Sequence, residues 1–395
     1  MSSAMIIDVV RTGSGKGKPG GALSQVHPAT LLATALVALL DRNDFDPVLI
    51  DDVIVGCVTQ SGEQSLNVGR TAVLAAGLSE SVPAVTIDRQ CGSGQQAAHF
   101  AAQGVMAGAY DVVIACGVES MSRAPMFSNT LGQDANGGPV RHRYPAGLVQ
   151  QGISAELIAA TYGLSRPELD EFAARSHRLA AAAAAAGAFA NEIIPVQADD
   201  TSDAIFDRDE TIRADTTPAT LAGLPAAFHD PGHARRFPGI GWHITAGNSS
   251  PLTDGASAAL IMSEEMADAL GLRPRARFHA FSVVGSDPLM MLTGPIAATE
   301  KVLKRGGLAV DDIDAFEVSE AFASVPLAWQ AELGADPARV NPRGGAIALG
   351  HPLGASGTRI LATLVNYLES AGGRYGLQTM CEGGGMANAA IIERL

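Results

Sequence analysis

Two stretches decide how this 395-residue chain folds: Ile87-Asp88-Arg89-Gln90-Cys91-Gly92-Ser93-Gly94, and Gly345-Ala346-Ile347-Ala348-Leu349-Gly350-His351 with its continuation to Ala355-Ser356-Gly357. Each sets a reactive side chain before a turn of small residues. A helix-like run follows, Gln95–Met106 in the first case and Gly357–Ser370 in the second. Each run then leads to a strand-like segment, Asp111–Cys116 or a strand ending near Cys381. A unit used twice in this way predicts two related α/β halves. A pseudo-two-fold relation between them would bring Cys91 and His351 together.

The rest of the chain repeats the alternation. Val53–Val58, Ala84–Asp88, Ala256–Met262, Ala315–Val318 and Ala389–Glu393 read as strands, and Pro28–Leu40, Glu168–Ala186 and Pro295–Arg305 as helices. Ser165 with Glu168 forms a capping box, and Gly187 is a stop. Between about Arg123 and Ala246 the texture changes to Pro, Gly, Asp and His with few clean strands, which predicts a large insertion between the halves.

Composition excludes several classes. With 47% hydrophobic and 17% charged residues, the chain is not disordered. No run is long and apolar enough to cross a membrane. A net charge of −14 opposes general binding to nucleic acid or anionic membrane. Four cysteines cannot form a disulfide framework, and neither a C-x-x-C nor an H-E-x-x-H spacing points to a metal. With no secretory leader readable at the N-terminus, a reducing, cytoplasmic location is expected.

Cys91 sits at a strand–helix joint. The helix N-terminus favours thiolate, and the glycines admit a close substrate, so a nucleophile is expected; a buried small side chain is the alternative. His351 is stiffened by Pro352 and suits a base, or a single structural hydrogen bond. Cys381 precedes Glu382-Gly383-Gly384-Gly385, whose bare backbone suits an oxyanion hole or a plain turn. Glu317, Ser319 and Glu320 suit a held water, an oriented histidine or a solvated junction. Gly13-Ser14-Gly15-Lys16-Gly17-Lys18 lacks phosphate-loop spacing and reads as a mobile loop. Cys57 and Cys116 read as inert core.

In order along the chain, Cys91-Gly92-Ser93-Gly94, Gly117-Val118-Glu119-Ser120-Met121-Ser122, Thr245-Ala246-Gly247-Asn248-Ser249-Ser250, Ser319-Glu320-Ala321-Phe322, Gly350-His351-Pro352-Leu353-Gly354 and Cys381-Glu382-Gly383-Gly384-Gly385 resemble the thiolase family. The resemblance spans essentially the whole chain. It implies an α/β fold of two similar halves stacked as α-β-α-β-α layers, with an inserted loop domain. Residues 1–122 plus 247–273 would form the first half, 123–246 the loop domain that binds coenzyme A, and 274–395 the second half. It implies thiolytic cleavage of a 3-ketoacyl-CoA, or the reverse condensation. Cys91 is then the acylated nucleophile, His351 its base, and Cys381 the acid/base at carbon. One oxyanion hole would use the N–H groups of Cys91 and Gly383, the other His351 and a water on Ser319. Ser250, Ala246, Phe322, Gln151 and Arg213 would contact substrate. Coenzyme A is a co-substrate; no resident cofactor, metal or nucleic-acid partner is implied, and a homodimer or homotetramer is.

Three positions depart from the family pattern. Ser319 stands where Asn is common, Gln151 where Met is common, and no Arg precedes Pro225. Arg141, Arg143, Arg213, Arg235 and Arg236 are alternatives for the coenzyme A phosphates. Two other readings compete: a ketoacyl synthase, which the second Cys before a triple glycine opposes, and a non-catalytic acyl-CoA-binding relative, which Ser319 keeps open.

Overall fold

The computed structural model describes residues 3–198 and 204–395. Its first half is a five-stranded sheet of β1 (Ala4–Thr12), β2 (Asp52–Gly56), β3 (Ala84–Ile87), β4 (Val112–Ser120) and β5 (Thr253–Ser263), in the order β3-β2-β4-β5-β1. The first three of that order run parallel, and β4-β5-β1 run antiparallel. The second half repeats this with β6 (Ala276–Gly285), β7 (Ala315–Val318), β8 (Tyr375–Glu382) and β9 (Met386–Arg394), in the order β7-β8-β9-β6. The parallel pair β7-β8 again leads to an antiparallel trio. The counterpart of β3 has shrunk to one parallel bridge between Phe316 and Val340. Even the irregularities correspond: β1 is bulged between Ile6 and Asp8, and β6 between Phe278 and Ala280. The two sheets meet edge to edge through only Met5↔Arg277 and Ile6↔Ala276.

Alternating burial sorts the helices into layers. α1 (Pro28–Asp41) and α2 (Val68–Ala75) pack on one face of the first sheet with Val10, Val55 and Ile114. The opposite face, with Ile54, Val113 and Ile261, meets α3 (Ser93–Met106), which packs beside α8 (Ser356–Ala371) of the second half. Beyond the second sheet lie α6 (Gly294–Gly306) and α7 (Ser324–Leu333), whose Val302 and Trp329 pack on Phe316 and Leu377. The result is five layers, with α3 and α8 shared in the middle. They touch at glycines: a Cβ on Gly357 would stand 1.9 Å from the Gln95 nitrogen, so no larger residue fits there.

The insertion between β4 and β5 carries α4 (Gln151–Thr161) and α5 (Arg166–Ala185). α5 begins as expected, with the Ser165 amide donating to Glu168 Oε2 at 2.7 Å. It ends at Gly187, whose φ is 71°. The Gly13–Lys18 stretch differs from the expectation of a mobile loop. Gly15 and Lys16 pair with Asp254 and Thr253 of β5, and Ser14 Oγ donates to Leu349 O at 2.6 Å. No described helix is long and apolar enough to cross a membrane.

Candidate active site

The two small-residue turns lie at the N-terminal ends of α3 and α8 and face each other across the central layer. After β3 the chain turns through Gln90, whose φ of 49° is left-handed. Ser93 Oγ locks this turn by accepting from Arg89 N at 2.8 Å and donating to Gln90 O at 2.6 Å. That places Cys91 in a small apolar cluster with Val58, Met121, Leu353 and Met380. Burial, with Cys381 and Glu382 nearby, pushes its thiol well above the ordinary range. This corrects the expectation of a thiolate stabilised by the helix end. α3 starts two residues beyond Cys91, and desolvation outweighs the dipole.

His351 follows Gly350, whose φ of 81° and close neighbours Thr253 and Ser14 admit only glycine. The His351 amide donates to Thr253 Oγ1 at 3.0 Å. Nδ1 lies 2.6 Å from Ser356 Oγ, and that hydroxyl donates its own hydrogen to Pro352 O at 2.8 Å. The network therefore assigns the imidazole proton to Nδ1. Nε2 is left with its lone pair and no partner among the described residues. Burial, reinforced by the Arg359 charge, pulls the His351 pKa down to about 3. At neutral pH the pair is thus a neutral thiol and a neutral imidazole.

Cys91 and His351 line one cavity of about 400 Å³, as do Gln151, Ser250 and Phe322. Phe322 is held edge-on to Phe228, and the Ser250 amide donates to Ala321 O at 3.0 Å. Cys381, next to the end of β8, is fully buried in an apolar cluster with Ala321 and Phe322 of the cavity wall. Burial drives its pKa up to about 12, while the adjacent Ser319 hydroxyl pulls it down. Ser319 Oγ has no hydrogen-bond partner of good geometry among the described residues. Gly383 stands beside Gln90 and Gln151.

The remaining candidates fall elsewhere. Ala246 and Arg213 line a smaller adjoining cleft with Lys16 and His177, and this cleft shares Ser249 and Pro251 with the main cavity. Arg141, Arg143, Arg235 and Arg236 line neither. Arg141 pairs with Asp134, Arg143 and Arg236 stack on Tyr144 and Phe237, and Arg236 also donates to Gly147 O. Glu320 neither faces water nor orients the histidine directly. It accepts from Ser176 Oγ, Asn341 Nδ2 and the Ile347 amide, holding the segment that leads to His351. Glu317 is buried among Arg359 and Glu320, and burial raises its pKa to about 8.

Glu119, near the end of β4, belongs to one of the family-like motifs, but the sequence alone gives it no role. Its carboxylate accepts four bonds of 2.9–3.0 Å, from the amides of Val58, Thr59 and Gly354 and from Gln64 Nε2. It thereby ties the wall of the Cys91 pocket to the loop that carries His351.

Comparison with known proteins places this geometry. Family models described as the thiolase N-terminal and C-terminal domains match residues 4–265 and 272–394. A steroid 3-ketoacyl-CoA thiolase of Mycobacterium tuberculosis is 49% identical over 403 residues, covering 100% of this chain and 95% of its own length. A 3-ketoacyl-CoA thiolase of Serratia proteamaculans is 46% identical over 402 residues, covering 100% of each. The crystal structure of the Bacillus anthracis acetyl-CoA acetyltransferase superposes with a TM-score of 0.89 at 38% identity, over 100% of this chain and 99% of that one.

Proposed function

The chain belongs to the thiolase family, and on that premise we propose that it cleaves a 3-ketoacyl-CoA with coenzyme A to acetyl-CoA and a shortened acyl-CoA. The observation that carries this is that Cys91 and His351, whose Nε2 is unprotonated and unpartnered, line one cavity, with the Cys381 thiol close enough for its charge to be felt by Cys91.

The steps follow from these groups. Sγ of Cys91 attacks the 3-keto carbon while His351 Nε2 accepts the thiol proton. The tetrahedral alkoxide collapses, the C2–C3 bond breaks, and Cys381 gives its proton to C2 of the departing acetyl-CoA. The Cys381 thiolate then takes the proton of incoming coenzyme A, whose sulfur attacks the acyl-Cys91 thioester. Cys91 leaves and recovers its proton from His351. Neutral starting groups suit this cycle, because each proton moves only as charge develops. A thiol raised to about 12 by burial is also a better match for a carbon acid than an ordinary thiol. The N–H groups of Cys91 and Gly383 are the proposed oxyanion donors, with a water on Ser319 serving the other hole.

The acyl group is proposed to be longer than acetyl. Relatives named 3-ketoacyl-CoA thiolase stand at 44–49% identity, and the cavity wall is largely apolar, with Met121, Met126, Phe127, Leu252 and Leu353. Arg213 and Lys16 in the adjoining cleft are the proposed contacts for coenzyme A phosphate. The cytoplasm is the proposed location, supported by four free, buried cysteines. A homodimer or homotetramer is proposed, supported by exposed Phe127 and Leu131 on the insertion. Thiolysis rates across a 3-ketoacyl-CoA chain-length series test the reading. Rates should rise from acetoacetyl-CoA to longer acyl groups. No turnover on any member would overturn it.

A further inference from the structure

Glu382 is the one carboxyl group packed against the Cys91 turn that has no hydrogen-bond partner for either oxygen among the described residues. It is buried at the end of β8, and its Oε1 lies over Gly92, where a Cβ would stand 2.0 Å from that oxygen. From β9, Asn388 Nδ2 donates to Gly92 O at 3.1 Å, while Asn388 Oδ1 is unpartnered. On the turn itself, Arg89 Nε is also buried and unpartnered. The charged and titratable groups facing Glu382 are Arg89 and Asp88 on that turn; Cys91 and, on its own strand, Cys381 feel its charge in turn. An acid left without donors in such a place is held neutral. Burial, resisted by Arg89 and aided by Asp88, raises its pKa to about 8.

We propose that Glu382 is a positioning residue for the nucleophile: neutral, it leaves Cys91 free to react, and ionised, its charge over Gly92 opposes formation of the Cys91 thiolate and slows attack. The proposal rests on the reading of Cys91 as the nucleophile. It adds an upper pH limit to that reading, set by a group that does not line the cavity.

The test is alkylation of the full-length protein by iodoacetamide from pH 6 to pH 10, with the labelled peptide identified by mass. Glu382→Gln keeps the shape and removes the charge. The ratio of the variant's Cys91 rate to the wild-type rate should be near one at pH 6. It should rise through a sigmoid centred near pH 8 to about threefold or more at pH 10. A merely structural effect would give a ratio independent of pH, and that result overturns the proposal. If Glu382→Gln does not fold, Glu382→Met removes the same charge. The infrared difference between wild type and Glu382→Gln also reads the group, because Glu317 and the other buried acids are common to both: a protonated carboxyl band should be present in that difference at pH 7 and vanish by pH 10. A band already absent at pH 7 overturns the proposal. Failure of Cys91 to label ahead of the other cysteines would instead count against the nucleophile assignment, so the two failures are distinguishable.

Discussion

Counted from the glycines where α3 and α8 touch, Gly94 and Gly357, Glu119 of the first half and Glu382 of the second stand at the same place, 25 residues on in each. Both acids lie at or next to the end of the strand after the shared helix, and both face the central layer. Glu119 faces the turn before α8 and is saturated by four donors. Glu382 faces the turn before α3 and has none among the described residues. One repeat uses its acid to tie two loops together, and the other keeps its acid against the Cys91 turn. The same division appears one residue earlier. Val118 is core in the first half, while its counterpart in the second is the Cys381 thiol. Two halves of one architecture thus carry different side chains at matching positions.

That comparison can be broken at several points. Cys381→Ser should cut exchange of the acetyl-CoA methyl protons with solvent deuterium by about a hundredfold or more, while acylation of Cys91 by acetyl-CoA persists. Exchange at the wild-type rate would mean that His351 or a water is the base at carbon. Glu119→Ala leaves the buried amides of Val58, Thr59 and Gly354 without their acceptor. Each unmet donor costs about 1–3 kcal/mol, so chemical denaturation should show a loss of about 3 kcal/mol or more. Glu382→Gln, with no bond to lose, should cost far less. Equal losses would erase the distinction between the two acids.

A smaller effect separates the two oxyanion holes. Ser319→Ala should slow enolate formation by about tenfold and leave acylation nearly unchanged, and Ser319→Asn should restore or exceed the wild-type rate. Rates unmoved by both changes would make the position structural. Least of all should pH matter on the acid side. A histidine whose pKa is lowered to about 3 stays neutral, and so competent as a base, at every pH above that value. Single-turnover acylation should therefore show no histidine inflection near pH 6.5. An inflection there would mean that His351 is not desolvated as described.

Much of this was legible in the chain. The repeated small-residue turn gave the pairing of Cys91 with His351, and the strands at Ala84, Ala256 and Ala315 fall where periodicity put them, within a few residues. β1 escaped notice because Asp8 and Arg11 interrupt its apolar run. Both are buried in ion pairs with partners far along the chain, Asp8 with Arg42 and Arg275, Arg11 with Glu192 and Asp209. The roles of Glu119 and Glu320 depend on donors that only the fold brings near. The protonation state of Cys91 is hidden from the sequence for a related reason. A helix start is visible in sequence, whereas the depth of desolvation that overrides its dipole is not.

The central claim is that the two turns make Cys91 the nucleophile and Cys381 a separate acid/base. The most direct measurement is to mix the protein with a 3-ketoacyl-CoA in the absence of free coenzyme A, quench in acid, and map the acyl group by peptide mass spectrometry. The account predicts one acyl group per chain, on the peptide containing Cys91. An acyl group on Cys381, Cys57 or Cys116, or none on any cysteine, would contradict it.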